Sequence, residues 1–158
     1  MKKLNILGIG PKVAVVLLPW LALSIFLSSI YKERFLYTVS GSDTVLISGI
    51  ILMIIGLVFY ISTVKFLLRG IKETKLMTTG AYKLCQNPLY SSFILFLIPA
   101  LSLILNSWLV LTTSVVGYVL FSIFVKQEYR ELESIFGEEY LKYKSTTPEF
   151  FPNPFRLF

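Results

Sequence analysis

Between Lys83 and Lys126 the chain carries no aspartate, glutamate, lysine or arginine over 42 residues, Leu84 to Val125. That is about twice the ~20 apolar residues that one membrane-spanning helix needs. The stretch therefore reads as a helical hairpin with spans at about 88–105 and 108–125. Its turn is expected at Asn106-Ser107, where polar residues sit midway and Trp108 can lie at the interface. Two further apolar runs, 13–31 and 45–64, are each long enough for one span. With 55% hydrophobic residues and a mean hydropathy of +0.73, the expectation is an all-α integral membrane protein. It has four transmembrane helices in a single membrane domain, 1–158.

The charges follow the same plan. The chain has fifteen lysines and arginines and a net charge of +6. With four spans, thirteen of the fifteen fall on one side and only Lys32 and Arg34 on the other, so both termini are expected to be cytoplasmic. The basicity is topological, which argues against a nucleic-acid partner. The N-terminal Lys2-Lys3 lead with Gly8, Gly10 and Pro11 is expected to enter a retained first helix rather than act as a cleaved signal, and Pro19 is expected to kink it. A polar outer loop with a Ser40-Gly41-Ser42 turn should join the first two helices. The second helix should run past the membrane as Lys65 to Arg69. Thr78-Thr79-Gly80 should break any helix in the polar segment that follows.

After Val125 the character changes. Tyr129, Leu132, Ile135, Phe136, Tyr140 and Tyr143 return at three- and four-residue intervals among charges. This predicts a cytoplasmic amphipathic helix over 126–145, broken near Gly137, whose apolar face lies against the membrane or covers the loop between helices two and three. The tail from Pro148 to Phe158 reads as an extended interfacial strap.

Much chemistry is excluded. The chain has no histidine, so it has no imidazole base, metal site or Ser-His-Asp triad, and Cys85 is its only cysteine. The spans hold no acid or base for a proton relay or ion path. What remains is the cytoplasmic rim. In Gly80 to Tyr90, the Asn-Pro step pushes Asn87 out of helical geometry and Pro88 starts the next helix, so Gln86, Asn87 and Tyr90 gather at the mouth of an apolar helix. A bland helix cap would read the same. A hairpin brings the start of its first helix and the end of its second to one level, which places Glu128 near Asn87 and Tyr90. There it can receive hydrogen bonds or sit beside a cation, or be a simple juxtamembrane charge.

The stretch Lys75-Leu76-Met77-Thr78-Thr79-Gly80-Ala81-Tyr82, followed by Gln86-Asn87-Pro88-Leu89-Tyr90, resembles the signature of the isoprenylcysteine carboxyl methyltransferase family, which is related to phospholipid N-methyltransferases. Glu128, Leu132, Phe136-Gly137, Tyr140, Tyr143 and Pro148 are similar to its second motif at full spacing. The resemblance covers about 65–152. It implies a methyltransferase that uses S-adenosylmethionine on a lipid or prenylated substrate drawn from the bilayer. Carried over by position, it assigns cofactor contacts to Thr74, Lys75, Leu76, Met77, Tyr82, Asn87, Pro88, Leu89, Tyr90 and Glu128, and a substrate contact to Lys126. Gln86, Asn87 and Tyr90 become positioning candidates, and no metal is implied.

Three departures stand out. Gln86 replaces the family arginine, Tyr129 replaces a second glutamate, and no arginine ends the fourth helix, where Phe124 precedes Lys126. An amide pairs with a carboxylate only weakly compared with a guanidinium. The activity most like this pattern is O-methylation of a protein isoprenylcysteine. The alternatives are N-methylation of a phospholipid or other amine, and a catalytically impaired membrane scaffold of the same fold. Membrane sterol reductases share a similar C-terminal signature but are much longer.

Overall fold

A computed structural model describes residues 8–38 and 43–156. Lys2, Lys3 and the Ser40-Gly41-Ser42 turn lie outside the described residues. Among those described, six helices follow in order: α1 (Gly10–Ile30), α2 (Lys32–Phe35), α3 (Asp43–Glu73), α4 (Ala81–Leu84), α5 (Pro88–Ile104) and α6 (Trp108–Thr146), with a 3-10 turn at Pro154–Arg156. Among the described residues there are no strands beyond one isolated bridge between Leu36 and Ser107. Three helices, α1, α3 and α6, are long and apolar enough to cross a membrane. The stretch expected to make the fourth span is a shorter apolar helix, α5.

Side-by-side packing runs α1 against α6, α6 against α5, and α5 against α3. The outer helices turn their apolar side chains outward, with Val15, Val58 and Ile61 all more than 60% exposed. In water that surface would be unstable, but in lipid it costs nothing, which is why long helices with so little apolar burial hold together. Contact between α3 and α5 is made possible by small residues at seven-residue spacing. Gly49, Gly56, Thr63 and Gly70 are all buried; Gly49 and Gly56 lie against α5, where a methyl group on Gly56 would be 2.8 Å from Leu97 and Phe96 atoms, and Gly70 lies against Met77 of the loop after α3.

Pro19 sits inside α1, which stays helical on both sides of it from Gly10 to Ile30. In α5 the proline effect is visible one turn upstream, because Pro99 has no N–H for Leu95. The ladder there widens into a π-turn over Ser92–Leu97, and the Ile98 N–H reaches back to the Phe93 carbonyl. The hairpin turns at Asn106, whose φ of 50° is the left-handed geometry that asparagine tolerates at a helix C-terminus. Its N–H and that of Ser107 satisfy the carbonyls of Leu103 and Ser102. The Asn106 side chain also ties the loop before α3, accepting from the Tyr37 N–H and donating to the Thr38 carbonyl.

The charged segment is not a separate helix. No residue between Val125 and Glu128 interrupts the helix, so the apolar 108–125 stretch continues directly into it, and the chain changes direction only at Gly137 (φ 52°, ψ −126°). The apolar face of the segment packs inward. Tyr129, Tyr140 and Tyr143 are buried, with Leu132 and Phe136 packed beside them. Of the two surfaces expected for this face, it covers the loop: the Tyr143 hydroxyl donates to the Tyr82 carbonyl at 2.7 Å. The tail lies as a strap across the same loop. Gln86 N–H bonds the Pro148 carbonyl, Asn153 N–H bonds that of Leu84, and Phe150 is buried against Phe121 and Tyr118.

Candidate functional site

The helix ends and loops of the charged side converge on one cavity. The end of α3 supplies Leu67, Gly70 and Ile71, and α6 supplies Glu128, Tyr129, Glu131, Leu132 and Phe136 from the stretch before its kink. The α3–α4 connection brings Lys75, Leu76 and Met77, then Tyr82. Gln86, Asn87, Pro88, Leu89 and Tyr90 complete the wall. The cavity encloses about 130 Å³. That is less than the ~300 Å³ or more of a typical small-molecule pocket, so a ligand of nucleoside size must extend through its open side.

Two of the residues expected here lie elsewhere. Thr74 does not line the cavity. It takes the left-handed conformation (φ 51°) that ends α3, with its own N–H on the Ile71 carbonyl and the Lys75 N–H on that of Gly70. Its work is to turn the chain so that the next three residues reach the cavity. Lys126 lines a neighbouring cleft with Lys144, Thr147 and Glu149, and Gln86 and Tyr129 form the wall between the two.

Asn87 and Gln86 face each other's neighbours more than they face open space. Asn87 is buried, and its amide donates to the Tyr129 hydroxyl at 2.6 Å and to the Glu149 carbonyl at 2.9 Å. Tyr129 passes the bond on to a Glu149 carboxylate oxygen at 2.9 Å. Gln86 donates to the carbonyls of Thr147 and Lys144, and its own buried side-chain oxygen has no partner. An arginine here would supply only donors; glutamine leaves a buried acceptor that has no partner among the described residues.

The hairpin closure inferred from the charge-free stretch is present in the geometry. Tyr90, at the start of α5, donates to a Glu128 carboxylate oxygen at 3.1 Å. Glu128 stands three residues beyond the apolar part of α6. Burial pushes its carboxyl above the ordinary carboxylate range, and the Tyr90 hydroxyl and the Ile9 main-chain N–H pull it partly back. Burial, and then the nearby Glu128 charge, hold the Tyr82 phenol neutral well above neutral pH.

Several further residues line the cavity beyond those the motifs indicate. Glu131 lies one turn from Glu128 and so shares its face, a spacing visible in the sequence. Gly70 ends the seven-residue series of small residues on α3. Gly8, which also lines the cavity, has no local cue, because its contact with the α6 end joins distant parts of the chain.

Among the described residues, Glu128, Glu131 and several phenols against one lining cation, Lys75, suit a ligand that carries positive charge, such as a sulfonium with an amino group. The apolar Leu76, Leu132 and Phe136 suit a flat ring. The residues present thus fit S-adenosylmethionine in chemical type. No curated protein matches the chain. A family model described as phospholipid methyltransferase matches residues 44–139, well over half of the sequence, from the first turn of α3 to just past the α6 kink. The first motif lies wholly inside that span, the second begins inside it with Glu128 to Gly137, and the cavity is built almost wholly from it: the chain belongs to the phospholipid methyltransferase family.

Proposed function

We propose that the protein is a membrane methyltransferase that uses S-adenosylmethionine to methylate an amine in a lipid headgroup at the cytoplasmic face. The observation that carries the acceptor class is the charge of the cavity wall. Glu128 and Glu131 line it, and among the described residues its only lining cation is Lys75, whose side chain is 71% exposed and lies 3.8 Å from Glu73. A carboxylate acceptor would meet like charge there, whereas an ammonium is drawn in. In this reading α5 is the fourth span, at the short end of the ~17–25 residues that cross a bilayer, and both termini are cytoplasmic.

When bound, S-adenosylmethionine supplies a methyl group on a positively charged sulfur. The chain's own residues then do four things. Glu128 faces the positive charge, held by Tyr90. Glu128 or Glu131 takes the proton that an ammonium must lose before its nitrogen can act as a nucleophile, and the Glu128 carboxyl, raised by burial, suits that task. Leu132 and Phe136 keep water from the reacting groups. The Asn87–Tyr129–Glu149 chain fixes the wall beside them, so catalysis comes mainly from position and charge. The outward apolar faces of α1 and α3 leave the acyl chains in the bilayer.

O-methylation of a prenylcysteine is the second reading. It is favoured by the spacing of the second motif and by the Lys126 and Lys144 cleft next door, where a carboxylate finds cations. Purified protein in nanodiscs, given donor with a radiolabelled methyl group, decides between them. Label in phosphatidylethanolamine supports the amine reading, and label only in a prenylcysteine ester supports the second. Donor that binds without transfer to either points to the impaired scaffold.

A further inference from the structure

The family match begins at residue 44, so α1 lies wholly outside it, yet the entry to α1 reaches the cavity. Ile9 is among the most deeply buried side chains, 2% exposed. Gly8 has a φ of 49°, and a β-carbon placed on it would lie 2.9 Å from Oε2 of Glu128 and 3.2 Å from the Tyr90 hydroxyl. Only a residue without a side chain lets the backbone come so near a carboxylate while holding this conformation. One step on, the Ile9 main-chain N–H lies on the same side and favours the ionised form of the Glu128 carboxyl. The Lys12 ammonium then closes the contact, donating to Gln127 at 2.6 Å. The start of α1 thus lies against two successive residues of α6, with Gly8 on Glu128 and Lys12 on Gln127, and the Glu128 charge sits near the positive end of the helix.

We infer that Gly8 and Ile9 are positioning residues of the site: the first turn of α1 aims and holds the Glu128 carboxylate through main-chain contact that only glycine at position 8 permits. The matched module alone leaves one side of Glu128 open; α1 closes it. The contact stands on geometry, and its consequence for ligand affinity rests on the reading of the cavity as a cofactor site. Other titratable groups near Glu128 are Tyr90 on α5, Tyr82 on α4, and Glu131 and Tyr140 on α6, with Lys75 the cation in the lining. Apart from Lys75 these are acids, so the Ile9 N–H is one of few groups that favour the ionised carboxylate.

The test uses the full chain in nanodiscs. A difference infrared titration, with the Glu128 signal assigned by its loss in Glu128→Gln, reads the midpoint of that carboxyl in wild type, Gly8→Ala and Gln127→Ala. The last loosens the Lys12 fastening without changing charge. The midpoint is expected to rise clearly in Gly8→Ala and less in Gln127→Ala. Calorimetry with S-adenosylmethionine should show Gly8→Ala binding about tenfold more weakly at neutral pH, the scale of one hydrogen bond to a charged group. The gap should close at alkaline pH, and Gly8→Ala should cost nothing further in a Glu128→Gln background. An unmoved midpoint in both variants overturns the inference, as does an equal loss of affinity with and without Glu128. If Gly8→Ala does not fold, Gln127→Ala decides the titration. Wild type that binds no cofactor defeats the proposed function, while the midpoints still decide the inference.

Discussion

Tyr90 and Glu128 are 38 positions apart, at opposite ends of the uncharged hairpin, and share a hydrogen bond of 3.1 Å. A carboxylate beside an apolar helix mouth is costly unless something bonds it. Here the tyrosine hydroxyl does so, which helps keep a negative charge available in a cavity lined largely by rings and aliphatic chains. The relationship joins the two sequence motifs physically, and the ligand chemistry of the site follows from it.

Glu128→Gln is therefore expected to weaken S-adenosylmethionine binding by about tenfold or more, and Tyr90→Phe by less, on the scale of a single charged hydrogen bond. Because burial raises the Glu128 titration, wild-type affinity should increase with pH through that raised midpoint, and Glu128→Gln should be flat over the same range. The sign for stability is opposite. A carboxyl whose folded-state pKa is raised adds stability at acid pH and loses it as pH rises through the raised value. Glu128→Gln should then melt no lower than wild type at pH 8 while binding poorly. Calorimetry and thermal scans against pH check both halves.

The motif assigns Asn87 to ligand, but its amide is committed to Tyr129 and the Glu149 carbonyl. Asn87→Ala should cost about 1–3 kcal/mol, because two buried acceptors lose their donor. Tyr129→Phe removes the bonds from Asn87 and to the Glu149 carboxylate but keeps the Asn87 bond to the Glu149 carbonyl, and should cost about as much. Both should loosen the strap after Thr147, read as faster limited proteolysis there. If Asn87→Ala abolishes cofactor binding with an unchanged melting temperature and an intact strap, its amide acts on ligand and not on the tail.

Cys85 is fully buried, its sulfur 3.6 Å from the Ser91 hydroxyl, and burial pushes the thiol up to about 11. At pH 8 only about one thiol in a thousand is then ionised, against a sizeable fraction for a free cysteine. Maleimide labelling of the folded protein should be slow and should accelerate sharply at the unfolding transition. Rapid labelling in native nanodiscs would show that the loop under the strap opens.

The helices and the meeting of the motif halves are legible in the sequence, because the lack of charge over 42 residues leaves the chain few options. Asn106 marks its turn for the reason given by its left-handed backbone. Less legible is the continuity of α6: the composition changes at Lys126, but composition does not break a helix, and only Gly137 bends it. The tail partners of Gln86 and Asn87 are hidden because they are main-chain carbonyls about sixty residues away, which no local pattern encodes. The same holds for Gly8, whose closeness to Glu128 follows from how α1 lies on α6.

The seven-residue series on α3 yields the last prediction. A glycine inside a helix is ordinarily a weakness, and replacing it with alanine gains about 1 kcal/mol where there is room. At Gly56 there is none, since the added carbon would meet Leu97 and Phe96 at 2.8 Å. Those atoms belong to a helix held between α3 and α6, so the strain must be relieved by moving α5 or by turning its side chains off their rotamers, at about 1–3 kcal/mol. Overpacking thus outweighs propensity, and Gly56→Ala should lower the melting temperature in nanodiscs. Gly10→Ala is the matched control, because nothing lies within 4 Å of its added carbon, and it should leave the melting temperature unchanged or raise it. Equal behaviour of the two variants would mean that α3 and α5 are not in close contact at Gly56, and the end of α3 would lose its fixed distance from the loop that lines the cavity.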